Sequence, residues 1–461
     1  MQNISSVSSG QQQRALWLST IAFTACFAVW MIFSIIGIQI KQQLGLSDTR
    51  FGLLIATPVL SGSLLRIFLG VWADQLGGRV VLTWVMLFGA IGTWLLTYAT
   101  TYPEFLAAAL FVGVAGGSFS VGVAYVSKWF PADKQGTALG IFGAGNIGAA
   151  VTKLLAPMVM VAAGWITVAK LWAVGLAVMA VLFYLLSQDD PSLAERRRAG
   201  VRAMPFSEQM APLKNMQVWR FSLYYFFVFG GFVALALWLP RYLVGAYGMD
   251  VKTAGIIAAA YSIPASIFRI VGGWMSDRLG ARAVMYWTFG ASVICTFLLA
   301  YPDTRYVIKG IEGDIAFHLA IGVVPFTVLV FVLGFFMSLG KAAVYKHIPV
   351  YYPQHVGAVG GVVGMIGGLG GFVLPIAFGA MNDLTGVWTS CFMLLFVLVA
   401  TALAWMHGAI RRMEHSRFPQ IGRDTDLPEI MNAASSQPGS PKASRQPARV
   451  GPDHGAAAPG T

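Results

Sequence analysis

Two arginines stand where lipid should exclude them. Arg66 and Arg269 each fall inside a long apolar run, a few residues to one side of its middle. A charge there costs at least ~2.5–3.5 kcal/mol on insertion scales, so such residues face a bundle interior or a water-filled pathway. No acidic residue lies deep in an apolar run. Asp74 and Asp277 sit at run ends, and the others in loops or the C-terminal stretch. No carboxylate is therefore placed to neutralise the arginines, and two like charges at matching depth call for an anion between them. A guanidinium is a planar fork of donors that can grip two oxygens of a flat oxyanion at once. The chemistry indicated is binding of a small anion.

Other polar and aromatic residues could share that work. Gly143 to Gly148 reads G-A-G-N-I-G and satisfies the G-x-G-x-x-G pattern. A dinucleotide site would need a preceding strand and an acidic residue about twenty positions on, and neither is present. Gly143, Gly145 and Gly148 read instead as helix-packing glycines. Asn146 would bring an amide donor to the anion. A second glycine tract includes Gly364, Gly367, Gly368, Gly370 and Gly371 but no asparagine. Tyr225 and Phe229, four apart, share a helix face. With Phe33, which follows Trp30 in the first apolar run, they could sandwich a flat ion. Lys153 and Lys341 also lie within apolar runs. Lys153 follows Asn146 by about two helical turns. A lysine removed from water can exchange a proton, whereas one near a helix end snorkels to the interface.

These residues are positioned by a repeat. Shifting residues 45–82 by 203 positions overlays 248–285 without a gap. Gly45, Gly52, Ser63 and Arg66 fall on Gly248, Gly255, Ser266 and Arg269. The motif G-V-W-A-D-Q-L-G-G-R, with Gly70, Asp74 and Arg79, falls on Gly273, Asp277 and Arg282. Its glycines suit a tight turn and close helix approach, and its charges suit a gate at the ends of two helices.

The whole chain fits a membrane protein. Of its 461 residues 57% are hydrophobic and 11% charged, and the mean hydropathy is +0.69. Such a chain has too little charge to cover a soluble surface. Twelve apolar runs fall near 17–38, 51–73, 80–99, 104–128, 136–160, 165–187, 220–243, 251–274, 283–301, 316–342, 356–381 and 386–410, each near the ~20 residues that cross a bilayer. The reading is an all-α protein: a polar N-terminus (1–16), a six-helix half (17–187), a basic linker (188–218), a second six-helix half (219–410) and a disordered tail (411–461). The first run has no cleavage site after it and reads as a helix, not a signal peptide. The net charge of +12 comes from short loops and the tail. It sets orientation, with both termini cytoplasmic, and not nucleic-acid binding. Cys26, Cys295 and Cys391 all sit in apolar runs and read as packing residues. The six histidines show no ligand pairing. No nucleotide, metal or cofactor motif is visible, so the reading is secondary transport and not enzymology.

The paired arginines, G-A-G-N-I-G and the glycine-rich eleventh run resemble the nitrate/nitrite porter family of the major facilitator superfamily, over about residues 15–410. The resemblance implies twelve helices in two pseudo-symmetric halves, with the site at the midplane between them. It assigns the substrate clamp to Arg66 and Arg269, with Asn146, Tyr225 and Phe229 around it. It implies a monomer in the cell inner membrane that carries nitrate and nitrite. The segments around Lys153 and Lys341 are similar to the branch associated with nitrate/proton symport. Nitrate/nitrite exchange and carriage of another small anion are the alternatives.

Overall fold

The computed structural model describes residues 8–189, 214–351 and 356–417. The basic linker between 190 and 213 and the tail from 418 lie outside the described residues. Among the described residues, eleven helical stretches are long and apolar enough to span a membrane. One of them, Thr137–Leu186, runs for 50 residues, enough for two crossings. It breaks at Gly164, whose φ of 78° and ψ of 166° no helix allows. The described residues therefore make twelve crossings: α1 (Ser9–Leu44), α2 (Asp48–Leu76), α3 (Gly78–Leu95), α4 (Tyr102–Ser127), α5 (137–163), α6 (165–186), α7 (Met216–Tyr247), α8 (Val251–Leu279), α9 (Ala281–Leu299), α10 (Val323–Tyr351), α11 (Val356–Thr385) and α12 (Ser390–Arg417). An even number of crossings returns the chain to the face on which it starts. We call this the near face, and the opposite one the far face.

The helices start and stop for local reasons. α1 begins well before the apolar run because Ser8 and Gln11 form a capping box. Gly45 and Gly248 end α1 and α7 in the left-handed conformation, at φ 59° and 63°. Gly77 and Gly280 join α2 to α3 and α8 to α9 at φ 99° and 83°. These glycines are repeat partners, so the sequence repeat is also a repeat of backbone turns.

The same symmetry governs contact between the halves. A Cβ at Gly52 of α2 would overlap the Pro375 carbonyl of α11. A Cβ at its partner Gly255 of α8 would overlap the Lys153 carbonyl of α5. Each half thus lays one helix against the other half, α2 on α11 and α8 on α5. Such close approach is how small residues hold helices together in lipid.

Charge closes the far face. Asp48, at the start of α2, pairs with Lys41 at 3.1 Å and with Arg241 of α7 at 3.2 Å. Asn382 of α11 donates to the same carboxylate. Asp383 accepts from the backbone of Asp48 and Thr49, at 3.0 and 2.7 Å. The network ties α1 and α2 of one half to α7 and α11 of the other. Asp48 is an end residue, as the acidic census requires, but it belongs to a helix and is buried.

One element departs from the all-α expectation. Strands β1 (Thr304–Lys309) and β2 (Asp314–Leu319) form an antiparallel hairpin on the far face. The apolar run starting near 316 is therefore strand until 319, and α10 begins only at Val323. β-Branched and aromatic residues at alternate positions, with a turn at Gly310 and Gly313, favour strand over helix here.

Candidate functional site

The two arginines lie within the packed helices; each is 6% exposed. They reach them differently. α2 continues unbroken through Arg66. α8 breaks at Phe268, four residues after Pro264, and resumes at Arg269. The Phe268 N–H still bonds the Pro264 carbonyl at 3.2 Å, and the Gly272 N–H bonds the Phe268 carbonyl at 2.9 Å, so the ladder runs on through the break. Each side chain leans on the opposite half. The Arg66 Nη1 donates to the Gly364 carbonyl of α11 at 3.2 Å. A Cβ at Gly368 would meet Ser63 Oγ and come within 3.3 Å of Arg66 Nη1. Arg269 lies over Gly143 of α5, where a Cβ would come within 3.1 Å of Nε. The glycine tracts therefore do more than bring helices together. Gly143 and Gly368 leave room for the guanidinium groups.

Aromatic rings surround both groups. The Arg66 Cζ lies 5.1 Å from the Phe229 ring, 5.6 Å from Trp30 and 5.6 Å from Phe119. The Arg269 Cζ lies 5.3 Å from Phe119 and 5.9 Å from Tyr345. Phe119 of α4 thus touches both arginines. Ring faces offset part of the desolvation cost of a cation, by ~2 kcal/mol or more in dry sites. They do not neutralise it. Among the described residues no carboxylate pairs with either arginine, and Arg269 Nη1 is buried without a hydrogen bond. Tyr225 stacks on Phe229 at 5.1 Å and 6°, and meets Tyr345 edge-on at 4.9 Å. The α7 backbone widens into a π-helical turn, Phe226–Gly231, directly after Tyr225. Such turns often mark functional positions.

The remaining predicted residues separate into groups. Asn146 is fully buried in a tight turn of α5, and neither amide atom has a partner. Buried amides are normally paired, so an unpaired one marks a place for a ligand or water. Phe33 is buried but contacts neither arginine ring-to-cation among the described residues; Trp30 takes that position. Gly145 and Gly148 pack against Phe23 and the α1 backbone. Gly367, Gly370 and Gly371 pack against α7, and Gly364 against the Tyr345 hydroxyl.

Neither lysine snorkels: Lys153 and Lys341 are both fully buried. Lys153 Nζ donates to Ser262 Oγ of α8 at 2.9 Å, across the halves, and to the Ala149 carbonyl. Lys341 Nζ donates to the Ala265 carbonyl at 2.5 Å and sits 3.6 Å over the Phe232 ring.

The repeated motif lies at the near face. Arg79 donates to the Tyr184 carbonyl of α6 through Nη2 at 2.6 Å and covers the Tyr184 ring. Asp277 pairs with Lys346 of α10 at 2.5 Å. Arg282 lines a small cleft with Tyr224, His347 and Tyr351. The Asp74 side chain lies outside the described residues. The turns belong to Gly77 and Gly280. Gly70 and Gly273 have open space where a Cβ would stand, so neither mediates close approach.

Sequence reasoning missed Phe119 and Tyr345. Phe119 follows the small-residue stretch Gly116-Gly117-Ser118, and Tyr345 shares a helix face with Lys341.

Twelve apolar helices, a buried cationic site between two repeats and a closed far face define a membrane carrier. The Major Facilitator Superfamily model matches residues 18–308 and 246–438. The chain is 43% identical to a probable nitrate/nitrite antiporter NarK1 of Thermus thermophilus, over 90% of this chain and 95% of that one. It is 30% identical to a nitrite extrusion protein of Bacillus subtilis, over 88% and 97%. It is also 30% identical to a probable nitrate transporter NarT of Staphylococcus epidermidis, over 85% and 95%. In fold it matches an inward-facing, occupied bacterial homologue of the human lysosomal transporter Spinster, at TM-score 0.67 and 14% identity, over 90% of this chain and 100% of that one. The chain belongs to the major facilitator superfamily and, within it, to the nitrate/nitrite porter family.

Proposed function

We propose that this protein carries nitrate, and nitrite, across the cell inner membrane, with the ion held between Arg66 and Arg269. The observation that carries the reading is the pair of buried, uncompensated guanidiniums sharing the Phe119 ring. A flat monovalent oxyanion would accept in-plane hydrogen bonds from both forks while its faces lie against rings. Asn146 and Tyr225 would complete the shell. Three relatives bear nitrate or nitrite in their names, which supports the choice of ion. The near face, with Arg79, Arg278, Arg282, Arg411 and Arg412, would be cytoplasmic by the positive-inside rule.

Uptake would be coupled to protons. Lys153 bridges the halves through Ser262, so its protonation would bear on how they move. The second reading, nitrate/nitrite exchange, is favoured by the name of the Thermus relative. Purified protein in liposomes tests the substrate reading. Nitrate and nitrite should each compete with labelled nitrate for entry, while sulfate and phosphate should not. Equal competition by phosphate would refute it.

A further inference from the structure

The hairpin between α9 and α10 sorts its side chains by face. Residues directly opposed in an antiparallel pair share a face. Tyr306 opposes Phe317, Ile308 opposes Ile315, and Thr304 opposes Leu319. On the other face Arg305 opposes His318 and Lys309 opposes Asp314, around Val307 and Ala316. One face is thus apolar apart from a threonine, and the other carries the charge. The apolar face is bare: Ile308 is 52% exposed, Ile315 59% and Phe317 43%, and Ile311 at the turn is fully exposed. An isolated two-stranded hairpin is marginal in water. An uncovered apolar face of this kind needs a partner.

The attachment of the hairpin decides what that partner is. Only residues 300–303 separate α9 from β1, and only 320–322 separate β2 from α10. At about 3.6 Å per residue the open ends of the strands lie within roughly 18 Å of the helix ends. The adjoining turns of those helices expose Ile294, Phe297 and Leu298 on α9, and Val324 and Val328 on α10. These residues form the lipid-facing belt, and the apolar face of the hairpin continues it. The Tyr306 hydroxyl touches that of Tyr301 at the end of α9, which holds the apolar face toward the helix end. Tyrosine is at home at this depth, with its ring in apolar surroundings and its hydroxyl in water.

We propose that β1–β2 is a membrane-surface element. It lies on the far leaflet with Ile308, Ile311, Ile315 and Phe317 at the boundary of acyl chains and headgroups. Arg305 and Lys309 face water and lipid phosphates, and His318 lies against the Asp303 carboxylate at the base of the hairpin. It fixes the depth of α9 and α10, and hence of the second half, in the bilayer.

Spin-label accessibility in the full-length protein tests this, in liposomes of phosphatidylethanolamine and phosphatidylglycerol. The native Cys26, Cys295 and Cys391 are buried, so single introduced cysteines can be labelled selectively. Labels at Ile308→Cys, Ile311→Cys and Ile315→Cys should be several-fold more accessible to oxygen than to a water-soluble nickel chelate. Labels at Lys309→Cys and His318→Cys should show the reverse. Equal access of nickel to both faces would mean the hairpin stands in water, and would overturn the proposal. So would shielding of positions 308 and 315 from both reagents with spin–spin broadening that vanishes on dilution with unlabelled protein. That result would place a second copy of the chain on this face.

Discussion

At the scale of single residues, the proposed site is a pair of charges that no carboxylate among the described residues balances. Arg66 and Arg269 are each placed against a glycine of the other half, and rings fill most of the space around them. Lysine in either position would keep the charge and lose the fork. The loss would be one or two charge-assisted hydrogen bonds, each worth ~1.5–3 kcal/mol. Arg66→Lys and Arg269→Lys should therefore lower kcat/KM for nitrate entry by about tenfold or more, with normal insertion and yield. Entry at the wild-type rate would remove the clamp. The glycines beneath the arginines make a finer test. Gly368→Ala puts a methyl into Ser63 Oγ and against Arg66 Nη1, so the guanidinium must move. KM should rise several-fold while thermal stability in detergent barely changes. A Gly70→Ala control should leave KM unaltered, because nothing stands within 4 Å of its Cβ.

At the scale of elements, the helices that carry the site were legible because each of their signals occurs twice. A gapless repeat fixed α2 and α8, and with them the matching depth of the arginines. Gly77 and Gly280 then proved to share a backbone conformation as well as a register. Phe119 and Tyr345 were not legible. In a chain with 31 phenylalanines and 15 tyrosines, their role comes only from how α4 and α10 are rotated against α2 and α8. The same missing rotation signal leaves nothing in the sequence to rank Trp30 above Phe33. The hairpin was hidden by its neighbour, because the apolar residues of β2 run toward those of α10. The far-face network is invisible in the sequence because Asp48 and Asp383 read as separate loop charges and Arg241 falls inside the end of the seventh apolar run. Its geometry now predicts a function as a latch. Asp48 lies 18 residues before Arg66 on α2, about 27 Å along the helix. It can act on access to the site but cannot touch the ion. Asp48→Asn removes the charge that Lys41 and Arg241 share. Opening on the far face should become easier by about tenfold, the equivalent of ~1.4 kcal/mol. The reading is the labelling rate of Thr57→Cys by a membrane-impermeant maleimide added on that face. An unchanged rate would mean that packing, of Gly52 on the Pro375 carbonyl and of Gly379 of α11 on the Asp48 carbonyl, and not charge, keeps the face shut.

At the scale of the molecule, the two halves meet along α2–α11 and α5–α8, and the two interfaces differ in one respect. Both have a glycine pressed against a carbonyl, but only α5–α8 carries a buried lysine at that point, Lys153. Its bond to Ser262 joins the halves, and it must break or be remade if α8 moves away from α5. A proton on Lys153 would hold the bond as a charged donor; its loss would leave a neutral amine and a weaker tie. That asymmetry is where proton coupling can enter a site that has no carboxylate. Exchange makes no such demand, because the halves would rock with an anion bound in both directions and no proton need move. Lys153→Ala therefore separates the two modes in one preparation. In proteoliposomes with an imposed inward proton gradient, the variant should lose gradient-driven nitrate accumulation. With nitrate or nitrite loaded inside and no gradient, it should retain at least half of wild-type counterflow, because the arginine clamp is intact. Gradient-driven accumulation at the wild-type level would exclude Lys153 from coupling. Wild-type protein that ignores the gradient and needs internal nitrite would assign the molecule to exchange.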